Sequence, residues 1–362
     1  MNIPIITLIL CVIGADSYEN NTLLAVAVIY RHGDRSPSKS FPNDVYFNET
    51  YWPMGFGQLT KEGIARQYEL GKWFRRRYND FLSDNYSPNE IYIHSTNSDR
   101  TLMSAYANLA GLYPPAGYQV WSDRINWQPI PVHTEDRSKD DVITDKRRCR
   151  AFAKAYGQAK KSANKFFRER YRKLYGFIKD KTGWKDVTLS DVRMLHKNIK
   201  IYRQYNRSFV PDWIDHIDAK SLDFLAGLKS YIPVLKTHQA RLHIGPFFHR
   251  LFQHFDNFVG LTSETPKFLM FSAHDSTLCA ILGAMRMFNF RPIGFGDAIM
   301  WELRRINGVF VMNVAYKSEE DTLRPLYING CEFGCDYETF KRSLSDVTVS
   351  IQQWKVECKD VD

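Results

Sequence analysis

Leu23 to Tyr30 reads LLAVAVIY, an unbroken apolar run with β-branched residues, and it stops abruptly in the polar turn Arg31-His32-Gly33-Asp34-Arg35-Ser36-Pro37. An apolar run without alternation fits a strand buried on both faces, as in the centre of an α/β sheet. Ligands of such sheets bind beyond the carboxyl ends of the strands. The junction therefore constrains the fold class and the place of any chemistry together. Arg31 and Arg35 flank one imidazole, His32. Guanidinium groups present paired donors that match phosphate oxygens. A histidine among cations is discouraged from protonating, which leaves a ring nitrogen free to act as a nucleophile. Gly33 is expected to let the backbone pass close to a bound anion. The competing reading, a surface loop with a chance basic cluster, is weakened by the placement directly after a buried strand.

Strand and helix signals alternate over the first 115 residues. Thr60 is an N-cap candidate for a helix over Lys61 to Phe81, with Ile64, Tyr68, Gly71 and Phe74 on one face. Glu90 to His94 predicts a short strand, and Asp99 opens a helix that Pro114-Pro115 stops. This order predicts a layered α/β domain. From about 130 to 262 the pattern turns helical, over Cys149 to Leu174, Asp191 to Lys200, Asp215 to Leu228 and Gly245 to Val259. Strands return at Lys267 to Ser272 and in a hairpin, Ile299 to Arg304 and Val309 to Val314, turned by Asn307-Gly308. The expected division is 1–17 as a signal peptide, 18–129 and 263–362 as an α/β catalytic domain, and 130–262 as a helical insertion.

Two further signals follow predicted strands. Ser272-Ala273-His274-Asp275-Ser276-Thr277 offers a phosphate donor and an acid, although a His-Asp pair alone is more often structural. Ser98-Asp99-Arg100-Thr101 puts Arg100 at a helix N-terminus, where anions are favoured; alone it reads as a helix-surface charge.

Lys and Arg number 49 against 40 Asp and Glu, a net charge of +9. That charge suits anionic partners, from phosphate esters to polysaccharides, nucleic acid or membrane, and equally suits simple solubility. No zinc-finger, RNA-recognition or helix-turn-helix signature favours nucleic acid. No CxxC, HExxH or Asp-rich motif points to a metal. Ile3 to Gly14 is apolar but shorter than the roughly 20 residues that span a bilayer. Small residues follow it, so it reads as a secretory signal cleaved after Ala15 or Ser17. No later stretch is apolar for 18 residues, and the mature chain is expected to be secreted without a membrane anchor. Sequons at Asn20, Asn48, Asn85 and Asn206 fit a secreted glycoprotein, Asn85 least because Pro88 follows its Ser87.

These stretches together resemble the histidine acid phosphatases of the prostatic, lysosomal and insect venom or salivary types. The matching segments are Arg31–Pro37, Gly55–Arg77, Asp99–Ala105, Pro129–Thr134, Ser272–Thr277 and Gly330–Cys335. The resemblance runs from about 23 to 358 and is least in the helical insertion. It implies the phosphoglycerate mutase-like histidine phosphatase fold, an α/β domain with a central mixed sheet flanked by helices plus a smaller helical domain. It implies that His32 is the nucleophile and forms a phosphohistidine, with Asp275 as proton donor to the leaving alcohol. Arg31, Arg35, Arg100 and His274 would hold the phosphoryl oxygens, the electrostatic role that phosphoryl transfer chiefly needs. Neither cofactor nor metal is implied. Small phosphate monoesters or phosphorylated peptides are the implied partners, and a homodimer is left open. The family match, the odd cysteine count after loss of Cys11, and the short spacing of one pair imply disulfides Cys149–Cys358 and Cys331–Cys335 with Cys279 free. Vertebrate relatives have a third disulfide, for which this chain lacks a cysteine near Tyr202 and near Ala298. Ser276-Thr277 fits the phosphatase rather than the phytase branch. The expected function is a secreted acid phosphatase. A secreted binder that keeps the pocket without turnover is the alternative, disfavoured because His32, Asp275 and three arginines are all present. A cofactor-independent mutase is disfavoured by the signal peptide and sequons.

Overall fold

The computed structural model describes residues 21–143, 149–260, 265–328, 331 and 334–359; the expected signal peptide and Asn20 lie outside the described residues. The first half of the chain runs β1 (Asn21–Arg31), α1 (Lys61–Arg77), β2 (Ile91–Ser95), α2 (Asp99–Leu112), α3 (Arg150–Arg170), α4 (Arg172–Thr182) and α5 (Leu189–Tyr205). It continues with α6 (Ala219–Tyr231), α7 (Thr237–Val259), β3 (Phe268–Ala273), α8 (Asp275–Ala284), β4 (Ala298–Ile306) and β5 (Val309–Lys317). The last elements are β6 (Leu323–Pro325), β7 (Cys335–Asp336), α9 (Tyr337–Ser343) and α10 (Ile351–Glu357).

One sheet orders its strands β2-β3-β1-β4-β5-β6, with β7 also on β5. β2, β3 and β1 are parallel, and β4 and β5 run antiparallel beside them, so the sheet is mixed, as expected. β1 alternates between two cores with the period of a strand. Val26, Val28 and Tyr30 meet Leu70, Phe74, Leu109 and Leu112 of α1 and α2. Ala25, Ala27 and Ile29 share the other core with Phe247, Phe248 and Leu251 of α7, Leu278 and Ile281 of α8, and Trp301 of β4. Each fully buried large apolar side chain here contributes about 1.5–3 kcal/mol by leaving water. The hairpin turn carries φ of 49° at Asn307 and 86° at Gly308, the two left-handed residues that a tight right-twisted hairpin requires.

The helical stretch 150–231 holds its own core, built from Ile178, Leu189, Val192, Leu195, Ile199, Leu222 and Leu225. α7 also falls inside the segment read as an insertion, yet its phenylalanines pack on the sheet. The run expected as one helix over Cys149 to Leu174 divides at Tyr171, where φ −112° and ψ 31° leave helical geometry.

α1 turns a different face inward from the one its apolar spacing predicts. Gly63, Gln67, Leu70, Gly71 and Phe74 are buried, while Ile64 and Tyr68 are 42% and 38% exposed. Close backbone approach decides this: a Cβ on Gly71 would stand 1.9 Å from the Asn108 carbonyl oxygen, and one on Gly111 would stand 2.2 Å from that of Tyr68. The helix also ends at Arg77 and not at Phe81. The Arg75 guanidinium donates to the carbonyls of Leu82 and Ser83, which stabilises the turns that follow instead.

Cys149–Cys358 ties the start of α3 to the end of α10, Cys331 is bonded to Cys335, and Cys279 is a buried free thiol on α8. Asn48 and Asn206 are exposed, each accepting a backbone hydrogen bond two residues on, and Asn85 is half-buried. Among the described residues no helix is long and apolar enough to cross a membrane.

Candidate active site

Three parallel strand ends meet at one place. The register pairs Arg31 with Ala273, and Ser95 with Ser272. Past the last pairs, His32 N donates to the Ala273 carbonyl at 3.0 Å and Thr96 N to that of Ser272 at 3.1 Å. His32 and His274 therefore leave neighbouring strands side by side, their ring centroids 5.6 Å apart. Arg100 enters from the first turn of α2, and His274 caps α8, whose first residue is Asp275. His32, Arg35, Arg100, His274 and Asp275 line one cleft of about 250 Å³. Arg31 lies behind it, lining a small adjoining pocket with Asp275 and Phe295.

His32 is only 3% exposed. Its Nδ1 lies 2.8 Å from the Gly33 carbonyl oxygen. A carbonyl only accepts, so Nδ1 carries the proton and Nε2 holds the lone pair. Burial first, and then Arg31, His274, Arg100 and Arg35, hold the imidazole well below its usual pKa. The ring is therefore neutral. At His274 the partners reverse the tautomer. Arg100 Nη2 lies 3.4 Å from Nδ1 and donates to it, so Nε2–H donates to Thr96 Oγ1 at 2.9 Å. Arg31 donates to the Ile293 carbonyl at 2.6 Å and stacks 3.7 Å above the Phe295 ring. Arg35 donates to the Ser36 carbonyl at 2.7 Å, and burial with Arg31 and Arg100 nearby brings it down to about 9.

Gly33 serves a purpose other than the one expected. A Cβ there would stand 2.3 Å from the Gly63 carbonyl oxygen, so the glycine admits α1 rather than an anion. Gly33 N donates to Ser104 Oγ, which donates to the Arg100 carbonyl, and this links the first motif to α2. Asp34 binds Arg66 through Nε at 2.5 Å and Nη2 at 3.3 Å, a structural pair beside the cleft.

Asp275 brings partners that sequence reading missed. Its Oδ2 accepts from Arg193 Nη2 at 2.9 Å and Lys197 Nζ at 2.6 Å. Burial pushes this carboxyl up, but Lys197, Arg193 and Arg31 outweigh burial and hold it well below the usual carboxylate range. Burial, with Arg193 beside it, brings the Lys197 ammonium down to about 7. Arg137 lines the same cleft, donating to the Asn97 carbonyl at 2.8 Å and to Ser98 Oγ at 2.5 Å. The sequence signal for Arg193 and Lys197 was their four-residue spacing inside a predicted helix, which puts them on one face. No local feature said that this face turns toward His274-Asp275.

A profile of the histidine phosphatase superfamily (branch 2) matches residues 22–294. The chain belongs to that superfamily. Lysosomal acid phosphatase of Xenopus laevis is 34% identical over 351 residues, spanning 94% of this chain and 80% of the relative. Prostatic acid phosphatase of Rattus norvegicus is 33% identical over 358 residues, spanning 97% and 93%. Among solved structures, the phytase from Citrobacter braakii superposes with a TM-score of 0.67 at 16% identity, covering 94% of this chain and 100% of that one. The Hafnia alvei phytase in complex with myo-inositol hexakis sulphate gives 0.67 at 16%, over 91% and 98%. At that identity the two phytases speak to the fold alone.

Proposed function

We propose that this chain is an acid phosphatase that hydrolyses phosphate monoesters through a phosphohistidine at His32. The observation that carries the reading is the neutral His32 ring, its Nδ1 proton held by the Gly33 carbonyl and its Nε2 lone pair left for the cleft. Nε2 attacks phosphorus and the P–O ester bond breaks on the far side. Asp275 gives its proton to the departing oxygen. Water then attacks the phosphorus of the phosphohistidine, the P–N bond breaks with its electron pair returning to Nε2, and phosphate leaves carrying both protons of that water. Arg31, Arg35, Arg100 and His274 stabilise the charge on the equatorial oxygens. Buried guanidinium groups suit that task because their charge is fixed and their donors are already oriented.

Secretion belongs to the same proposal. It rests on the apolar N-terminal segment with small residues after it, on the exposed sequons Asn48 and Asn206, and on two disulfides, which persist in oxidising compartments. Of the segment 130–262 expected as an insertion, the helical stretch 150–231 acts as the inserted unit and its α5 lends one wall to the cleft, while α7 serves the sheet core.

The test is His32→Ala with p-nitrophenyl phosphate in mild acid. Turnover is expected to fall by at least about 10³-fold, the scale seen when a nucleophile is removed. Alkaline quench of the wild type with labelled substrate is expected to trap a base-stable phosphoenzyme that loses its label in acid. A variant retaining about a tenth of the wild-type kcat rejects the nucleophile role.

A further inference from the structure

The cleft holds more positive charge than one phosphoryl group engages. Arg31, Arg35, Arg100 and His274 surround His32, Arg193 and Lys197 line the side of Asp275, and Arg137 stands across the cleft from them. Arg193 and Lys197 sit on one face of α5, within a packed helix rather than a mobile loop, and their side chains are 22% and 24% exposed. Both hold the same carboxylate oxygen. A proton donor gripped by two cations stays ionised, and a phosphoryl group bound by the first set leaves that grip intact. A second anion beside the leaving oxygen would relieve it, by drawing Arg193 and Lys197 away from Asp275.

We propose that Arg193 and Lys197 form a second anion subsite on the leaving-group side, so that the enzyme prefers phosphate esters whose leaving group carries its own anionic group. The subsite rests on the phosphomonoesterase reading. Its occupant is a phosphate or carboxylate close to the scissile ester, borne either by a small bisphosphate or by a phosphorylated peptide with an acidic neighbour. When that anion docks, the two cations turn to it, and Asp275 takes up the proton that the leaving oxygen needs. Substrate charge thereby arms the acid. The charged groups facing Asp275 are Arg193 and Lys197 on α5, Lys229 on α6, Arg31 and Arg35 at the end of β1, and Arg100 and Arg137 across the cleft. The Cys279 thiol lies one turn along α8 and is pushed up to about 12, so it stays neutral.

Two substrate pairs test this. Propyl phosphate is compared with propane-1,3-diyl bisphosphate, and a phosphoserine peptide flanked by Ala with the same peptide flanked by Asp. The wild type is expected to favour the second member of a pair in kcat/KM, and the favoured pair identifies the source of the anion. In Arg193→Gln/Lys197→Gln the preference is expected to fall about 10- to 100-fold, the worth of one charge-assisted hydrogen bond. The descending pH limb of kcat for propyl phosphate is expected to move up by about one unit or more, because two opposite charges have left Asp275. Lys197→Arg is expected to retain the preference and controls for damage to α5. An unchanged preference and limb in the double variant, with p-nitrophenyl phosphate still turned over, overturns the subsite and leaves the phosphatase reading standing. Absence of hydrolysis of every ester by the wild type overturns that reading itself.

Discussion

At His32 one ring nitrogen holds the Gly33 carbonyl while burial and its neighbours Arg31, His274, Arg100 and Arg35 keep the other deprotonated. Asp275 is subject to the opposite balance, since the cations that surround it favour its charged form. The proposed proton donor thus rests ionised in the free protein, and in the proposed mechanism it gains its proton once bound substrate anion offsets those cations. Two consequences follow for kcat. Activity on alkyl phosphates is expected to fall as pH rises through the pKa that Asp275 has in the complex, because the acid form is lost. Asp275→Asn, which cannot donate, is expected to lower kcat for alkyl phosphates by about 10²–10⁴-fold, the usual worth of general acid catalysis. It should cost far less for p-nitrophenyl phosphate, whose leaving group barely needs a proton, and a phosphoenzyme should still form from that ester. Equal losses on both substrates in steady-state assays would make Asp275 structural.

Helix α1 shows how an element positions a site without touching substrate. Gly33 and Gly63 face each other, and a Cβ on Gly63 would stand 2.1 Å from the Asp34 carbonyl oxygen. Backbone cannot yield as a flexible side chain does, so Gly63→Ala must push α1 away from the 32–35 turn. The expected cost is about 1–3 kcal/mol of stability, as for other overpacked sites, together with a drop in kcat because His32 sits in the displaced segment. Gly157→Ala is the matched control, since a Cβ there meets nothing within 4 Å. Removing backbone freedom from an open helical site should be neutral or should stabilise by about 0.5–1 kcal/mol. Melting curves and kcat for the two variants check both. If Gly63→Ala matches the wild type in melting and turnover, the close contact does not position the turn.

Across the whole molecule the net charge belongs to one place. Between 150 and 186 twelve Lys and Arg stand against three Asp and Glu, a surplus equal to the chain's +9. It lies on the exposed faces of α3 and α4, whereas the cations of the cleft are balanced elsewhere in the chain. Bulk basicity therefore describes that surface and not the active site. Acid stability is also a property of the whole fold. Burial of His254 on α7 brings its pKa down to about 4, although a hydrogen bond with the Val26 backbone opposes the change. The unfolded chain takes up this proton near pH 6.5, and the folded chain refuses it until about pH 4. The stability is fully present above 6.5 and is lost as pH falls through 4, up to about 3 kcal/mol for a shift of this size. Urea midpoints measured from pH 7 to 4 should fall for the wild type and fall less for His254→Gln. Parallel slopes for the two proteins would remove His254 as the source.

Much of this was legible locally. A strand buried on both faces, an abrupt polar end and a turn signal are each set by a few consecutive residues, so β1, β3, the Asn307-Gly308 hairpin and the chemistry after the strands could be read in order along the chain. His32, Arg100 and His274-Asp275 were found because each stands at a strand end or helix start, and parallel pairing necessarily brings neighbouring strand ends together. The inward face of α1 was misread because apolar spacing favours Ile64 and Tyr68, while the choice was made by glycines that let backbones touch. Arg193, Lys197 and Arg137 escaped for a related reason. Their residue types are ordinary on a solvated helix or loop, and only the packing of α5 against the sheet domain turns two of them onto Asp275. Sequence determined which residues stand at the ends of strands; tertiary structure decided which charges face them, because an electrostatic partner is fixed by distance in space and not by distance along the chain.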